Sequence, residues 1–162
     1  MNAISRLFER KSKDILSVYY TAGYPALGDT LTVMDALINN GVDMVEIGMP
    51  YSDPVADGPV IERSSVKALE NGMSIARLFD QLRSRTPQDK VPLILMGYIN
   101  PVMQYGYEKF CREAAECGIS GLIIPDLPID EFQKEMKPFT EKYDLSFIFL
   151  ITPETEEVRV RK

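Results

Sequence analysis

The chain alternates short apolar runs with longer amphipathic stretches, and this alternation constrains its fold more than any other feature. The apolar runs are rich in Val, Ile, Leu, Phe and Tyr and are nearly continuous: residues 15–21, 44–49, 92–98, 121–125 and 146–152. Strands that are buried on both faces of a parallel sheet have this composition. The sequence therefore predicts an α/β fold with a parallel sheet, either doubly wound or closed as a barrel.

The stretches between the runs have the spacing of helices. Apolar residues recur at intervals of three and four at 31–38, 110–117 and 132–139. The connection between the second and third strands is long enough for two helices, which we expect to separate near Gly72, with Ser74 capping the second one.

The length decides how much of a barrel the chain can form. An eight-stranded (β/α)8 barrel takes about 250 residues, whereas this sequence has 162 residues and five apolar runs. Residues 155–162 follow a helical pattern without a cap or a breaker. We therefore expect residues 1–162 to be a single domain, the N-terminal portion of a barrel whose C-terminal strands are absent. The alternative is an open sheet of about five strands.

Composition argues against several functions and locations. The 18 Lys and Arg residues against 24 Asp and Glu give a net charge of −6, and no basic cluster is present, so nucleic acid and anionic membranes are not expected partners. No apolar run approaches the roughly 20 residues that span a bilayer, and the charged N-terminus lacks an export signal. Cys111 and Cys117 would face different sides of one helix, which argues against a disulfide. A reduced, cytoplasmic protein is expected.

The absence of histidine restricts the chemistry. With 0 His residues, His-based triads and His zinc sites are excluded, and no metal-ligand cluster, phosphate loop or dinucleotide fingerprint occurs in the sequence. We expect no metal site. Acid–base chemistry must therefore come from carboxylates, Tyr, Lys or Cys.

Glu46 is the first candidate for such chemistry, because it lies within an otherwise apolar strand. Burying an unpaired carboxylate costs free energy on the order of several kcal/mol, because the charge loses its hydration. Glu46 is therefore either a structural residue that is hydrogen-bonded to a neighbouring strand, or a general acid–base group at the mouth of a pocket. The loop that follows, residues 49–59, is stiffened by prolines and carries Asp53 and Asp57. These aspartates either serve as turn and cap residues or place a second carboxylate opposite the first.

Other candidates lie where the remaining strands end. Asp126 follows the fourth strand and either caps a helix or supports the site. Four apolar or aromatic residues lie at or near strand ends and either line a pocket or belong to the ordinary core: Tyr19, Met96, Tyr98 and Ile123.

Residues 45–61, VEIGMPYSDPVADGPVI, resemble the signature of the tryptophan synthase alpha subunit family, E-[LI]-G-x-P-[FY]-S-D-P-x-A-D-G-P-x-I. Residues 20–25 (YTAGYP), 96–101 (MGYINP) and 125–128 (PDLP) support the match after three other strands. The resemblance runs along essentially the whole chain, and it covers only the first part of the family's usual length.

The resemblance implies a (β/α)8 TIM barrel that cleaves indole-3-glycerol phosphate into indole and glyceraldehyde 3-phosphate in tryptophan biosynthesis. By the motif match, Glu46 has the position of the family's essential acid–base and Asp57 that of its second catalytic carboxylate. Tyr19, Met96, Tyr98 and Ile123 are the expected substrate-binding residues, with Asp126 in support.

The resemblance also implies a partner, the pyridoxal-phosphate-dependent beta subunit, in an alpha2-beta2 heterotetramer. No cofactor is expected in this chain, and pyridoxal phosphate is expected only in that partner. The expected interface residues are Pro50, Asp53, Pro54 and Asn100.

Two other interpretations remain. Another phosphate-binding barrel, such as an indole-glycerol phosphate synthase, would usually need a catalytic Lys on a strand, and none of the predicted strands carries one. An inactive fragment or docking module of the same barrel is the non-catalytic alternative. Because the family binds the substrate's phosphate with its last strands, we expect residues 1–162 alone to have little activity.

Overall fold

Five parallel strands form one sheet in the computed structural model, which describes residues 2–54, 57–85 and 91–161. The strands are β1 (Ser17–Thr21), β2 (Met44–Gly48), β3 (Leu93–Met96), β4 (Ile119–Ile123) and β5 (Ser146–Phe147). Their order in the sheet is their order in the chain, and every neighbouring pair is parallel. A doubly wound sheet reverses its strand order at a switch point. The unbroken order instead agrees with the succession of strands in a barrel.

Helices precede and connect the strands, and most of them cover one face of the sheet. They are α1 (Ala3–Arg10), α2 (Asp29–Asn39), α3 (Pro59–Glu70), α4 (Ile75–Arg83), α5 (Ile99–Tyr105), α6 (Tyr107–Glu116), α7 (Ile129–Glu131), α8 (Lys137–Lys142) and α9 (Glu157–Val160), with a π-helical turn at Phe132–Met136 between α7 and α8. In the described part of the chain, no helix is long and apolar enough to cross a membrane.

Local signals set the boundary between α3 and α4 as predicted. Pro59 occupies the first turn of α3, where its missing N–H costs nothing. Gly72 adopts a φ of +88° between the two helices. The Ser74 hydroxyl then accepts a hydrogen bond from the Arg77 amide at 3.3 Å and caps α4.

Two elements differ from the sequence-based expectations. Because residues 99–101 directly follow the third apolar run, the sequence predicts a loop there; they instead begin helix α5, whose first turn accommodates Pro101. The fifth strand, expected over 146–152, is only Ser146–Phe147 long. Within the part of the chain that the structure describes, β5 pairs with β4 alone. Phe149 beyond it packs edge-on against Phe132, with ring centroids 5.2 Å apart. The apolar character of this run therefore reflects aromatic packing rather than a longer strand.

The two faces of the sheet have different surroundings. The outer face contributes Val45, Ile47, Leu95 and Leu122, all fully buried, to a core shared with the helices. The inner face carries a separate, smaller cluster of buried residues: Ile4, Ile94 and Ile123, with Met44, Met96 and Ile148 packed around them. Both cysteines are free and buried in the outer core, as expected.

Helix α1 closes the inner face at the amino ends of the strands. The Asn2 side chain donates hydrogen bonds to the Ser120 carbonyl at 3.1 Å and to the Ser146 hydroxyl at 2.7 Å. Ile4 then packs over Gly121, where a Cβ would lie 2.6 Å from the Ile4 Cδ1. The inner face is consequently covered at its amino end, and the loops that follow the strands form its other end.

Candidate active site

The candidate site lies at the carboxyl edge of the sheet, where the loops after β1 to β4 meet. Tyr19, Glu46 and Ile94 are paired across three neighbouring strands. Because paired residues of parallel strands project to the same side, all three belong to the inner face.

A narrow cleft opens between these loops. Its walls combine three tyrosines, a carboxylate and apolar groups: Tyr19, Met49, Tyr51, Asp57, Ser65, Met96, Gly97, Tyr98 and Pro125. The cavity measures about 10 Å³, which is roughly the room that one water molecule needs. Tertiary structure thus brings Asp57 together with three of the four predicted substrate-binding residues.

Asp57 is held in place by the loop after β3. The Tyr98 hydroxyl donates a hydrogen bond to the Asp57 Oδ2 at 3.1 Å, and Tyr98 is only 5% exposed. The Asp57 amide closes a turn by donating to the Pro54 carbonyl at 3.0 Å. Both contacts restrict the carboxylate to the cleft wall.

Tyr51 packs against Tyr98, the partner of Asp57. Its ring lies 5.4 Å from the Tyr98 ring, centroid to centroid, and its hydroxyl accepts a hydrogen bond from the side-chain amide of Asn100 at 2.9 Å. Sequence analysis did not select Tyr51, although an aromatic residue in a proline-rich loop was a usable signal.

Tyr19 is paired with Glu46 across β1 and β2 and lines the cleft together with Asp57. Burial raises the pKa of the Tyr19 phenol above its ordinary value, a hydrogen bond with Thr21 opposes that rise, and the negative charges of Asp57 and Glu46 add to it. The phenol therefore remains neutral in the usual pH range and can donate a hydrogen bond.

Thr21 and Ser64 tie the site to the helix layer. Their hydroxyls lie 2.7 Å apart, and both residues are buried. Ser64 belongs to α3, which begins directly after the loop that carries Asp57. This hydrogen bond fixes the middle of α3 against the end of β1.

Glu46 is half-buried on β2, and its carboxylate accepts a hydrogen bond from the Ser17 hydroxyl at 2.6 Å. It does not contribute to the walls of the cleft around Asp57. The hydrogen bond matches the structural interpretation of Glu46 and leaves its acid–base role a prediction. Sequence analysis missed Ser17, whose only signal was its position two residues before Tyr19 on a strand.

Ile123 and Asp126 lie apart from the cleft walls. Ile123 is 5% exposed and packs with Ile4 and Ile94 in the inner cluster. Asp126 is exposed, and its Oδ1 accepts a hydrogen bond from the Ile99 amide at 3.0 Å. It therefore caps the start of α5, a supporting contact for the loop that carries Tyr98.

The predicted interface residues lie in the loop after β2 and in the first turn of α5. Asp53 is exposed and accepts a hydrogen bond from the Ser52 hydroxyl at 2.7 Å. Pro54 is half-buried, Asn100 is exposed, and Pro50 lines a separate groove beside α4 and α5. Residues 55–56 of this loop lie outside the described residues.

Among residues 2–54, 57–85 and 91–161, no group of three or more His, Cys, Asp or Glu side chains could hold a metal ion. The chemistry that this part of the site can perform is proton transfer by carboxyl groups and hydrogen bonding by phenols.

Comparison with known proteins gives a consistent family. A family model described as "Tryptophan synthase alpha chain" matches residues 6–162. The tryptophan synthase alpha chain of Bacteroides fragilis is 52% identical over 162 residues, which are 100% of this chain and 62% of that protein. The one from Flavobacterium johnsoniae is 53% identical over 161 residues, which are 99% of this chain and 63% of that protein.

Solved structures agree. Tryptophan synthase subunit alpha from Legionella pneumophila superposes with a TM-score of 0.93 at 37% identity, over 99% of this chain and 63% of that one. A chain of tryptophan synthase from M. tuberculosis gives a TM-score of 0.90 at 33% identity, over 98% of this chain and 64% of that one. The chain thus spans a little over three fifths of the length of the proteins it matches.

Proposed function

Because this chain belongs to the tryptophan synthase alpha chain family, we propose that it forms the acid–base half of a lyase site that cleaves indole-3-glycerol phosphate into indole and glyceraldehyde 3-phosphate. The observation that carries the proposal is the carboxylate of Asp57, held by Tyr98 in an aromatic cleft at the carboxyl edge of the sheet. Catalytic groups of barrels gather at this edge.

We assign residues 1–162 to the N-terminal portion of a (β/α)8 barrel. Support comes from the sequential, parallel strand order and from the fraction of each relative that the chain covers, 62% for the B. fragilis protein. The strands that would bind the substrate's phosphate belong to the remainder of such a barrel. On this basis the proposal includes little or no lyase activity for residues 1–162 alone.

The reaction is a retro-aldol cleavage. It needs a proton delivered to indole C3, a partner for the increasingly positive indole N–H, and removal of the hydroxyl proton from the departing carbon. Tyr98 engages Oδ2 of Asp57, so we assign Oδ1 to the indole N–H. A negative charge at this point stabilises the positive charge that develops on the ring.

Glu46 is the proposed acid and base. As a neutral carboxyl it delivers the proton to C3, and as a carboxylate it then takes the hydroxyl proton. Its location on β2 next to Tyr19 supports this role. Both proton transfers use carboxyl groups of the chain itself, so the proposed step requires no cofactor here.

The indole ring is proposed to lie among Tyr19, Met96, Tyr98 and Ile123, with Asp126 fixing the loop after β3 through Ile99. The cavity of about 10 Å³ is too small for an indole ring. Binding must therefore widen the cleft, and the loop that holds Asp57 and Tyr51 forms its outer wall.

The partner is proposed to be the pyridoxal-phosphate-dependent beta subunit, in an alpha2-beta2 assembly in the cytoplasm. Asp53 and Asn100 are exposed, and Pro50 and Pro54 keep the acidic loop rigid. A rigid loop lowers the ordering cost of association.

The test uses the full-length protein and measures indole release from indole-3-glycerol phosphate. Glu46→Gln removes the exchangeable proton in a nearly isosteric way and is expected to lower turnover by about 10²–10⁴-fold, with thermal unfolding unchanged within a few degrees. Glu62→Gln makes the same chemical change on the exposed surface of α3 and is expected to behave like the wild type. Near-normal turnover of Glu46→Gln would refute the assignment. An absence of turnover in the wild type would leave the docking module as the function.

A further inference from the structure

The hydrogen bond between Ser17 and Glu46 points the candidate catalytic carboxyl away from the cleft. Ser17 begins β1 and is paired with Met44, two residues before Glu46 on β2. Strands rise about 3.3 Å per residue. The Ser17 backbone therefore lies about 7 Å nearer to the amino ends of the strands than the Glu46 backbone, and the hydrogen bond from the Ser17 hydroxyl directs the Glu46 carboxyl toward those ends.

Asp57 is held in the opposite direction. Its partner Tyr98 lies two residues beyond Met96, which is paired with Gly48 at the carboxyl end of β2. The two carboxyls thus have hydrogen-bond donors toward opposite ends of the sheet. This explains why Glu46 does not contribute to the cleft walls that Asp57 forms.

The surroundings of Glu46 make Ser17 a strong partner. On β3, the neighbouring inner-face residues Ile94 and Met96 offer no hydrogen-bond donor. A hydroxyl that donates to a carboxylate at 2.6 Å in a half-buried setting forms a charge-assisted bond, which is stronger than one between neutral groups. Tyr19, which is paired with Glu46, lines the cleft, and the charges of both carboxylates raise the pKa of its phenol.

We propose that Ser17 is a positioning residue that withdraws Glu46 from the cleft, and that Glu46 must release the Ser17 hydroxyl to reach the substrate. This inference rests on the proposed lyase function. The Ser17-bound arrangement competes with the reactive one in the substrate complex, so the bond lowers the fraction of molecules with Glu46 in reach of C3. Ser17 therefore restrains turnover without touching the substrate.

The experiment compares variants of the full-length protein by kcat and KM for indole-3-glycerol phosphate. Ser17→Ala is expected to raise kcat about 10- to 100-fold, the range for losing one hydrogen bond to a charged group, and to leave KM within about twofold of the wild type. Ser17→Thr keeps the hydroxyl and is expected to retain the wild-type kcat. A purely structural serine would not raise kcat when it is removed.

Ser146→Ala is the matched control. Ser146 begins β5, and its hydroxyl binds Asn2 rather than Glu46, so its loss is expected to leave kcat unchanged. An unchanged or lower kcat in Ser17→Ala, or an equal rise in Ser146→Ala, would overturn the inference. Failure of the proposed function gives a different pattern, because the wild type would then show no turnover or Glu46→Gln would retain it.

Discussion

A methyl group at Gly48 would collide with the aromatic ring of Tyr19, which lines the cleft together with Asp57. Gly48 ends β2, and a Cβ built there would lie 2.2 Å from Oη, 2.6 Å from Cζ and 2.8 Å from Cε2 of Tyr19. Ordinary van der Waals contact begins at 3.4 Å, so the end of the ring would have to retreat by more than 1 Å. The φ of Gly48 lies outside the left-handed region, so Gly48→Ala tests this contact without backbone strain.

Two effects are expected from Gly48→Ala in the full-length protein. Overpacking of this kind destabilises by about 1–3 kcal/mol, which lowers Tm by roughly 2–12 °C for a protein of this size class. Because Tyr19 forms one wall of the cleft, its displacement also misplaces the substrate. A shift of about 1 Å can reduce the rate by about 10²-fold, so we expect kcat/KM to fall between about 10- and 100-fold.

Thermal unfolding and indole release measure the two effects. Gly28→Ala is the control, because a Cβ at Gly28 meets nothing within 4 Å and φ there is −78°. Adding Tyr19→Phe to Gly48→Ala removes only the closest contact, with the hydroxyl, and leaves the ring Cζ 2.6 Å from the new Cβ. We therefore expect Tm to recover only in part. If Gly48→Ala has the Tm and the turnover of the wild type, the Tyr19 ring does not pack on Gly48 and the reasoning is wrong.

The remaining predictions concern stability, association and completeness. Burial opposes ionisation of Glu113, but hydrogen bonds from Arg83 and Tyr105 outweigh the effect of burial and lower the pKa of Glu113. The ionised Glu113 therefore contributes its full stabilisation above the ordinary Glu pKa of about 4.3. This stabilisation is lost as the pH falls through the lowered pKa of the folded protein. Glu113→Gln should lower the free energy of unfolding in urea by about 1–3 kcal/mol at pH 7 and by less in acid. A difference in unfolding free energy between variant and wild type that does not change with pH would contradict this. Asp53→Ala should weaken association with the beta subunit roughly two- to fivefold, as measured by titration, and unchanged association would rule out the contact. Residues 1–162 alone should show no sharp unfolding transition and little indole release. Among the described residues β5 is paired only with β4, and an unpaired strand edge favours association between chains. A monomer of residues 1–162 that melts cooperatively would refute this prediction.

Local sequence determined the succession of elements. Buried parallel strands require nearly continuous apolar residues, so the positions of β1 to β4 were predictable within a few residues. The boundary between α3 and α4 was predictable from Gly72 and Ser74, because a left-handed turn and a helix cap act on their immediate neighbours. The acidic loop after Glu46 was recognisable for the same reason, as one continuous motif.

Tertiary structure decided which side chains meet. Ser17 and Glu46 are 29 residues apart, and Tyr98 and Asp57 are 41 residues apart. Both contacts depend on strand register and on how a loop folds back over the sheet edge, which no local pattern encodes. The short β5 has a similar origin, because an apolar run extends as a strand only where a neighbouring strand supplies hydrogen-bond partners. Sequence therefore determined which carboxyl groups this protein carries at the strand ends, whereas the packing of distant segments decided that Asp57 faces the cleft and that Glu46 is held away from it.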